Sequence, residues 1–136
     1  MDVTATRMFA ATPAEVAKVM FDPLRDPEWI GGARSVDRPA SDPTSPGART
    51  TRHGGFMGRE FSWTTEVAAF EPDHLLDMRF VAGPMKGGGV TYRIDASGDG
   101  SRVSVRNAGP GPGVMGWFVR RSVSKDLERL ARLVER

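Results

Sequence analysis

The chain has 136 residues and an apolar content of 39%, which suit one domain, residues 1–136, with one hydrophobic core. Its 19 basic and 17 acidic residues nearly balance and form no run of like charge, so nucleic-acid binding is not indicated. Cysteine is absent, which excludes disulfides and thiolate metal sites, and two histidines are too few for a catalytic zinc set unless carboxylates complete it. We therefore expect no metal and no cofactor.

The sequence carries no recognisable targeting or membrane signal. The opening residues, MDVTATRMFA, lack the positive and apolar regions of a signal peptide. No apolar stretch approaches the roughly 18 residues needed to span a bilayer. We therefore expect a cytoplasmic protein with no membrane span. Sixteen of the 19 basic residues are arginine, which is typical of a GC-rich bacterial genome.

The first 47 residues predict a strand, two short helices, a second strand and a loop. Residues 2–10 alternate as a strand, and Thr12-Pro13-Ala14-Glu15 combines an N-cap, a proline suited to the first helical position and a capping box. A second short helical turn, interrupted by a proline, is predicted from Leu24 to Trp29. A strand near Ala33–Arg38 and a polar loop at Pro39–Gly47 follow.

Five further strands between Ala48 and Asn107 are aligned by their turns. Turns at Glu71-Pro72-Asp73-His74, around Met85 and at Gly98-Asp99 predict one continuous apolar face. The pairs expected on that face are Val67–Met78, Thr65–Phe80, Ala69–Leu76, Met78–Tyr92, Phe80–Val90, Ile94–Val103 and Tyr92–Val105. The opposite face is expected to carry the charge pairs Glu66–Arg79, Asp77–Arg93 and Asp95–Arg102.

The C-terminal segment predicts one long helix from about Val114 to Glu135. Its apolar residues recur at steps of three and four and form one stripe: Met115, Val119, Val123, Leu127, Leu130 and Val134. An antiparallel sheet with one apolar face needs such a partner. The predicted fold class is therefore α+β, with a seven-stranded antiparallel sheet wrapped around the long helix.

Four segments match a known family: FAATPAEVAKVMFDP followed by Trp29, WTTEVAAFEPDHLLDMRF, GGGVTYRID and KDLERLARLVE. With the order of elements, they resemble the START-like superfamily, and more narrowly its polyketide cyclase/dehydratase and lipid-transport branch, often labelled SRPBCC. The resemblance implies a helix-grip fold with two short helices between strands 1 and 2. It also implies a cavity between the long helix and the concave face of the sheet.

The residues expected to line that cavity and bind a ligand are large and mostly apolar. They are Trp63, Met78, Phe80 and Tyr92 on the sheet, Met115 and Phe118 on the helix, and Trp29, which closes the mouth in relatives. Residues of these types also suit a filled core, and the sequence favours that interpretation for any one of them, with Trp29 as a plug. The Tyr92 hydroxyl would either orient a ligand carbonyl or reach the rim.

His53 is the other candidate for acid–base chemistry, and its orientation depends on one turn. If the turn between strands 3 and 4 centres on Met57, His53 faces Phe61 on the cavity side. A shift of half a residue sends His53 to solvent. His74, in the Glu-Pro corner, is interpreted as a turn residue.

Three functions fit this sequence. The first is binding of a small hydrophobic or aromatic ligand without chemistry. The second is a polyketide cyclase or dehydratase that positions its substrate and moves protons through His53 or Tyr92. The third is a protein-interaction module with a filled core. The absence of a clear acid and base pair on the inner face favours the first.

Overall fold

The computed structural model describes residues 1–56 and 58–135, and its elements follow the predicted order. They are β1 Asp2–Phe9, α1 Pro13–Met20, a 3-10 turn Pro23–Arg25, α2 Asp26–Trp29, β2 Ala33–Val36, β3 Arg49–Phe56, β4 Arg59–Glu71, β5 Leu75–Ala82, β6 Gly89–Ser97, β7 Gly100–Ala108 and α3 Gly113–Val134. The strands form one antiparallel sheet in the order β1-β7-β6-β5-β4-β3-β2, which curls around α3. The predicted α+β helix-grip fold is confirmed.

The start of α1 shows the predicted capping box. The Glu15 amide donates to the Thr12 hydroxyl oxygen over 3.3 Å, and the Thr12 amide donates to the Glu15 carboxylate over 3.0 Å. The second helical segment differs from its prediction because Asp22 caps it one residue earlier. The Asp22 carboxylate accepts from the Leu24 amide over 3.1 Å, so the chain forms a 3-10 turn before α2.

Two of the three predicted hairpins have the expected register. Val67 lies opposite Met78, Thr65 opposite Phe80 and Glu66 opposite Arg79 across β4 and β5. Ile94 lies opposite Val103, Tyr92 opposite Val105 and Asp95 opposite Arg102 across β6 and β7. These pairs confirm the turns at Glu71–His74 and at Gly98-Asp99.

The predicted pair Ala69–Leu76 is wrong because β4 contains an irregularity between Val67 and Ala69. This bulge adds a residue, so Ala69 lies opposite Asp77 and Phe70 lies opposite Leu76. The bulge moves the corner but leaves the Val67–Met78 pair in place.

The predicted register of β5 and β6 is displaced by two residues. Met78 lies opposite Val90, Leu76 opposite Tyr92 and Asp77 opposite Thr91, in place of the predicted pairs Met78–Tyr92, Phe80–Val90 and Asp77–Arg93. The turn closes one residue earlier than predicted, as the hydrogen bonds between Phe80 and Gly87 and Gly88 show. A shift of two keeps every side chain on its face. Met78, Val90 and Tyr92 therefore all point inward.

The long helix divides into two parts. Leu127, Leu130 and Ala131 of its C-terminal half are buried in the core with Val16 and Met20 of α1. The residues nearer its N-terminus border open space. No helix in the described residues is long and apolar enough to cross a membrane.

Candidate functional site

A cavity of about 650 Å³ lies between the concave face of the sheet and the N-terminal half of α3. Six of the seven predicted ligand-binding residues line it: Trp29, Trp63, Met78, Phe80, Tyr92 and Met115. The helix contributes Met115, Val119, Ser122, Val123 and Asp126. Most of the remaining wall is apolar, so the cavity suits the body of an apolar molecule.

Phe118 does not line the cavity. It is 37% exposed and packs edge to face against Trp117, with ring centroids 4.9 Å apart. At roughly 100° per residue, Phe118 lies about 90° around α3 from the centre of the cavity-facing arc. It therefore belongs to an exposed apolar patch on the outside of the helix.

Aromatic rings form the inner wall around Tyr92. The Trp29 ring meets the Tyr92 ring edge to face at 5.6 Å, and the Phe21 ring stacks on Tyr92 at 6.5 Å. Trp29 is 2% exposed, so it both plugs the core and forms part of the cavity wall.

The Tyr92 hydroxyl has no hydrogen-bond partner among residues 1–56 and 58–135. Burial raises its pKa, and the charges of Asp26 and Asp126 raise it further, while Arg52 opposes them only in part. The hydroxyl therefore stays protonated at neutral pH. It can hydrogen-bond to a ligand oxygen.

A buried ion pair lies beside this wall. Arg52 Nε donates to Asp26 Oδ2 over 2.5 Å, and Arg52 Nη1 donates to the Thr65 hydroxyl oxygen over 2.7 Å. Both charged side chains are at most 6% exposed. Burial raises the pKa of Asp26 to about 6, and the guanidinium lowers it only in part. Arg52 also lines the cavity and carries a positive charge to its wall.

His53 lies on the opposite face of the sheet from Arg52, which is the solvent-side alternative of the two orientations that the sequence left open. Arg52 pairs with Trp63 and His53 with Ser62, because the β3–β4 turn is half a residue later than the predicted centre. Met57, on which that centre was placed, lies outside the described residues. His53 Nδ1 is 2.6 Å from the Ser62 hydroxyl and Nε2 is 2.8 Å from Asp37 Oδ1. The ring therefore joins β3 and β4 to the residue that follows β2, away from the cavity.

Asp126 is a cavity residue that the sequence did not single out. Its Oδ1 accepts from the Gly31 amide over 3.0 Å and from Arg129 Nη1 over 2.8 Å, which ties α3 to the segment after α2. Burial raises its pKa to about 6, against the effect of these two partners. The predicted helical stripe could have revealed it, because Asp126 lies seven residues after Val119 and three after Val123.

The second histidine, His74, is not among the residues that line the cavity. His74 Nδ1 is 2.7 Å from the Ile94 carbonyl oxygen in the Glu-Pro corner, which fits its interpretation as a turn residue. Within residues 1–56 and 58–135, no three histidine or acidic side chains are grouped as a metal site would require.

The raised pKa values of Asp26 and Asp126 predict how stability depends on pH. Both pKa values lie near 6 in the folded state, against 3.8 for an ordinary aspartate. In the pH range between these two values, the folded protein therefore binds more protons than the unfolded protein. The unfolding free energy should therefore fall as pH rises from about 5 to about 7, by about 1 kcal/mol for each carboxylate.

Urea unfolding at several pH values across that range measures this slope. The pKa values of Asp2 and Glu15 are lowered in the folded protein, so these two carboxylates change the unfolding free energy only at pH values below this range. Asp126→Asn should make the slope shallower because one of the two groups no longer titrates. A free energy that rises between about pH 5 and about pH 7 would contradict the prediction.

The model of a family described as "Polyketide cyclase / dehydrase and lipid transport" matches residues 1–135. The chain belongs to this family. No curated protein matches the sequence.

Solved structures share the fold of this polyketide cyclase/dehydrase and lipid transport domain at low sequence identity. Protein CV1439 from Chromobacterium violaceum is 17% identical, with a TM-score of 0.78 over 99% of this chain and 97% of that one. TTHA0849 from Thermus thermophilus is 16% identical, with a TM-score of 0.78 over 98% and 97%. DynU16, described as a protein in the dynemicin biosynthetic locus, is 22% identical, with a TM-score of 0.74 over 98% of this chain and 47% of its own. These likenesses establish the fold.

Proposed function

We propose that this protein binds a small hydrophobic or aromatic molecule in the cavity between the sheet and α3. The observation that carries the proposal is the hollow of about 650 Å³ inside a chain of 136 residues. Ligand pockets commonly measure about 300–1,000 Å³ and are mainly apolar. The space is open to solvent on one side, so a ligand can enter it from solution.

The family description supports an apolar ligand, because polyketide intermediates and lipids both have carbon skeletons that would bury well in such walls. The open cavity also disfavours the third hypothesis, a module with a filled core. Met78 illustrates this point. Only 3% of the surface of Met78 is exposed, yet its side chain borders open space, which a filled core would not contain.

A second candidate function is cyclisation or dehydration of a polyketide-like substrate. This reaction needs a proton acceptor on the cavity wall, and His53 does not supply one because it lies on the outer face. Asp126 does supply one, and its raised pKa lies near neutral pH. Substrate positioning by the apolar wall would contribute the rest.

The binding proposal is tested with N-phenyl-1-naphthylamine, a neutral probe whose emission rises in apolar surroundings. We expect saturable one-to-one binding to the protein labelled with ¹³C at the methionine methyl groups. The methyl signals of Met78, Met85 and Met115 should shift because these residues line the cavity, whereas the exposed Met8 should not respond. Absence of saturable binding, or a response confined to Met8, would overturn the proposal.

A further inference from the structure

Asp126 presents an unused acceptor to the cavity. Both of its hydrogen bonds, to Gly31 and Arg129, use Oδ1, and Oδ2 has no partner among the described residues. Trp29 Nε1 is the only fully enclosed polar side-chain atom without a partner in that part of the chain. Asp126 Oδ2 is therefore open, and the space that Asp126 borders is the cavity. An ionised carboxylate in a largely apolar wall favours a hydrogen-bond donor opposite it.

Arg52 supplies a complementary donor to the same cavity. Its Nε binds Asp26 and its Nη1 binds Thr50 and Thr65, while Nη2 has no partner among the described residues. Since Nη2 is not enclosed either, it can donate to a ligand oxygen. Tyr92 lines the same space, and its protonated hydroxyl, which has no partner among the described residues, is a second donor. The described lining also includes the polar residues Arg59, Thr65, Asn107 and Ser122, but its one carboxylate is Asp126. Asp126, Arg52 and Tyr92 thus form a polar set with one charged acceptor, on α3, and donors on β3 and β6.

We propose that this polar set selects a hydroxylated aromatic carbonyl compound, with the ligand hydroxyl donating to Asp126 Oδ2 and the ligand carbonyl accepting from Arg52 and Tyr92. This inference rests on the proposed binding function and names its substrate class. A ligand without the hydroxyl covers Asp126 Oδ2 without giving it a donor, which penalises the binding of that ligand. The contacts of the ligand carbonyl with Arg52 and Tyr92 would also hold the ligand beside Asp126, the proton acceptor that the cyclase alternative requires.

The test compares four probes with one ring system: naphthalene, 2-naphthol, 2-methoxynaphthalene and 2-acetonaphthone. Dissociation constants are measured by equilibrium dialysis at neutral pH for the wild-type protein, Asp126→Asn and Asp95→Asn. Asparagine at position 126 keeps an oxygen for Gly31 and Arg129 and turns an amide donor towards the cavity. Asp95, in the distant β6–β7 hairpin and beside His74, provides the matched control.

We expect Asp126→Asn to weaken 2-naphthol binding about tenfold or more. It should leave naphthalene binding within about twofold, and it should leave 2-acetonaphthone binding unchanged or tighter, because the new amide can donate to the ketone. Asp95→Asn should change none of these constants. In the wild-type protein, 2-methoxynaphthalene should bind about tenfold more weakly than 2-naphthol because its ether cannot donate, a comparison that needs no variant.

Equal weakening of all probes in Asp126→Asn would show that the carboxylate only holds the Gly31 segment, and it would overturn the inference. Equal wild-type affinity for 2-naphthol and its methyl ether would also overturn it. If naphthalene binds and no hydroxyl preference is found, only this selection fails. If no probe binds, including naphthalene, the binding function fails with it.

Discussion

Replacing Arg52 by methionine is expected to lower the unfolding free energy at neutral pH by about 3–5 kcal/mol. The substitution leaves Asp26, whose side chain is 2% exposed, without the guanidinium that binds its Oδ2. It also removes the donor to the Thr65 hydroxyl. A buried charge that loses its partner keeps its full desolvation cost, which is why the expected loss is large.

Arg49→Met is the matched control, because Arg49 is on the same strand and forms an ion pair with Glu66 over 3.0 Å. That pair is exposed, so we expect a loss below about 1 kcal/mol. The double variant Asp26→Leu/Arg52→Met should recover most of the stability, because it removes both buried charges together. Urea unfolding measures all three proteins.

The loss in Arg52→Met should also be smaller at about pH 5 than at neutral pH, because Asp26 can be protonated once its partner is gone. Equal losses in Arg52→Met and Arg49→Met would contradict a stabilising role for the buried pair. Such a result would leave Arg52 as a cavity-wall residue only.

The fold could be predicted from the sequence because two kinds of periodicity agree along most of the chain. Period-two alternation fixed the inward faces of β4 to β7, and the three-to-four spacing of apolar residues placed α3 opposite them. The register predicted for β5 and β6 was wrong by two residues, but each side chain is still on the predicted face of the sheet because side chains alternate with a period of two. Six predicted ligand-binding residues consequently reach the cavity wall.

The polar part of the site could not be predicted in the same way. The β3–β4 turn decides whether Arg52 or His53 faces inward, and an error of half a residue exchanges them. An arginine and a histidine at adjacent positions give no apolar pattern that would correct the error. The buried pairing of Arg52 with Asp26 joins residues 26 positions apart, and no local spacing indicates it.

Asp126 was missed for a different physical reason. Its spacing from Val119 and Val123 places it on the cavity-facing stripe, but a charged side chain is usually solvated, so residue type and spacing favour opposite orientations. Only the approach of the Gly31 amide, 95 positions earlier in the chain, provides the partner that holds this carboxylate inside. The spacing of residues along the sequence does not indicate a hydrogen bond between segments so far apart in the chain.

Substituting Met78 by tryptophan tests whether the hollow is a binding site. Met78 is 3% exposed yet borders the cavity of about 650 Å³, so the larger indole has space to occupy. The indole would then exclude the probe N-phenyl-1-naphthylamine. We expect the affinity for this probe to fall at least about tenfold, which corresponds to about 1.4 kcal/mol, while the unfolding free energy changes by less than about 1 kcal/mol.

Met20→Trp makes the same chemical change in the packed core. Met20 is 1% exposed on α1 and borders a space of only about 10 Å³, barely enough for one water. Overpacking there typically costs about 1–3 kcal/mol. The contrast between the two variants separates a hollow from a filled interior.

The affinity of Met78→Trp for N-phenyl-1-naphthylamine, measured beside its urea-unfolding midpoint, tests the binding cavity most directly. If the cavity is the binding site, the variant should keep nearly wild-type stability and bind the probe much more weakly than the wild-type protein does. A Met78→Trp protein that is destabilised as much as Met20→Trp, and that shows the same probe response as the wild type, would contradict it.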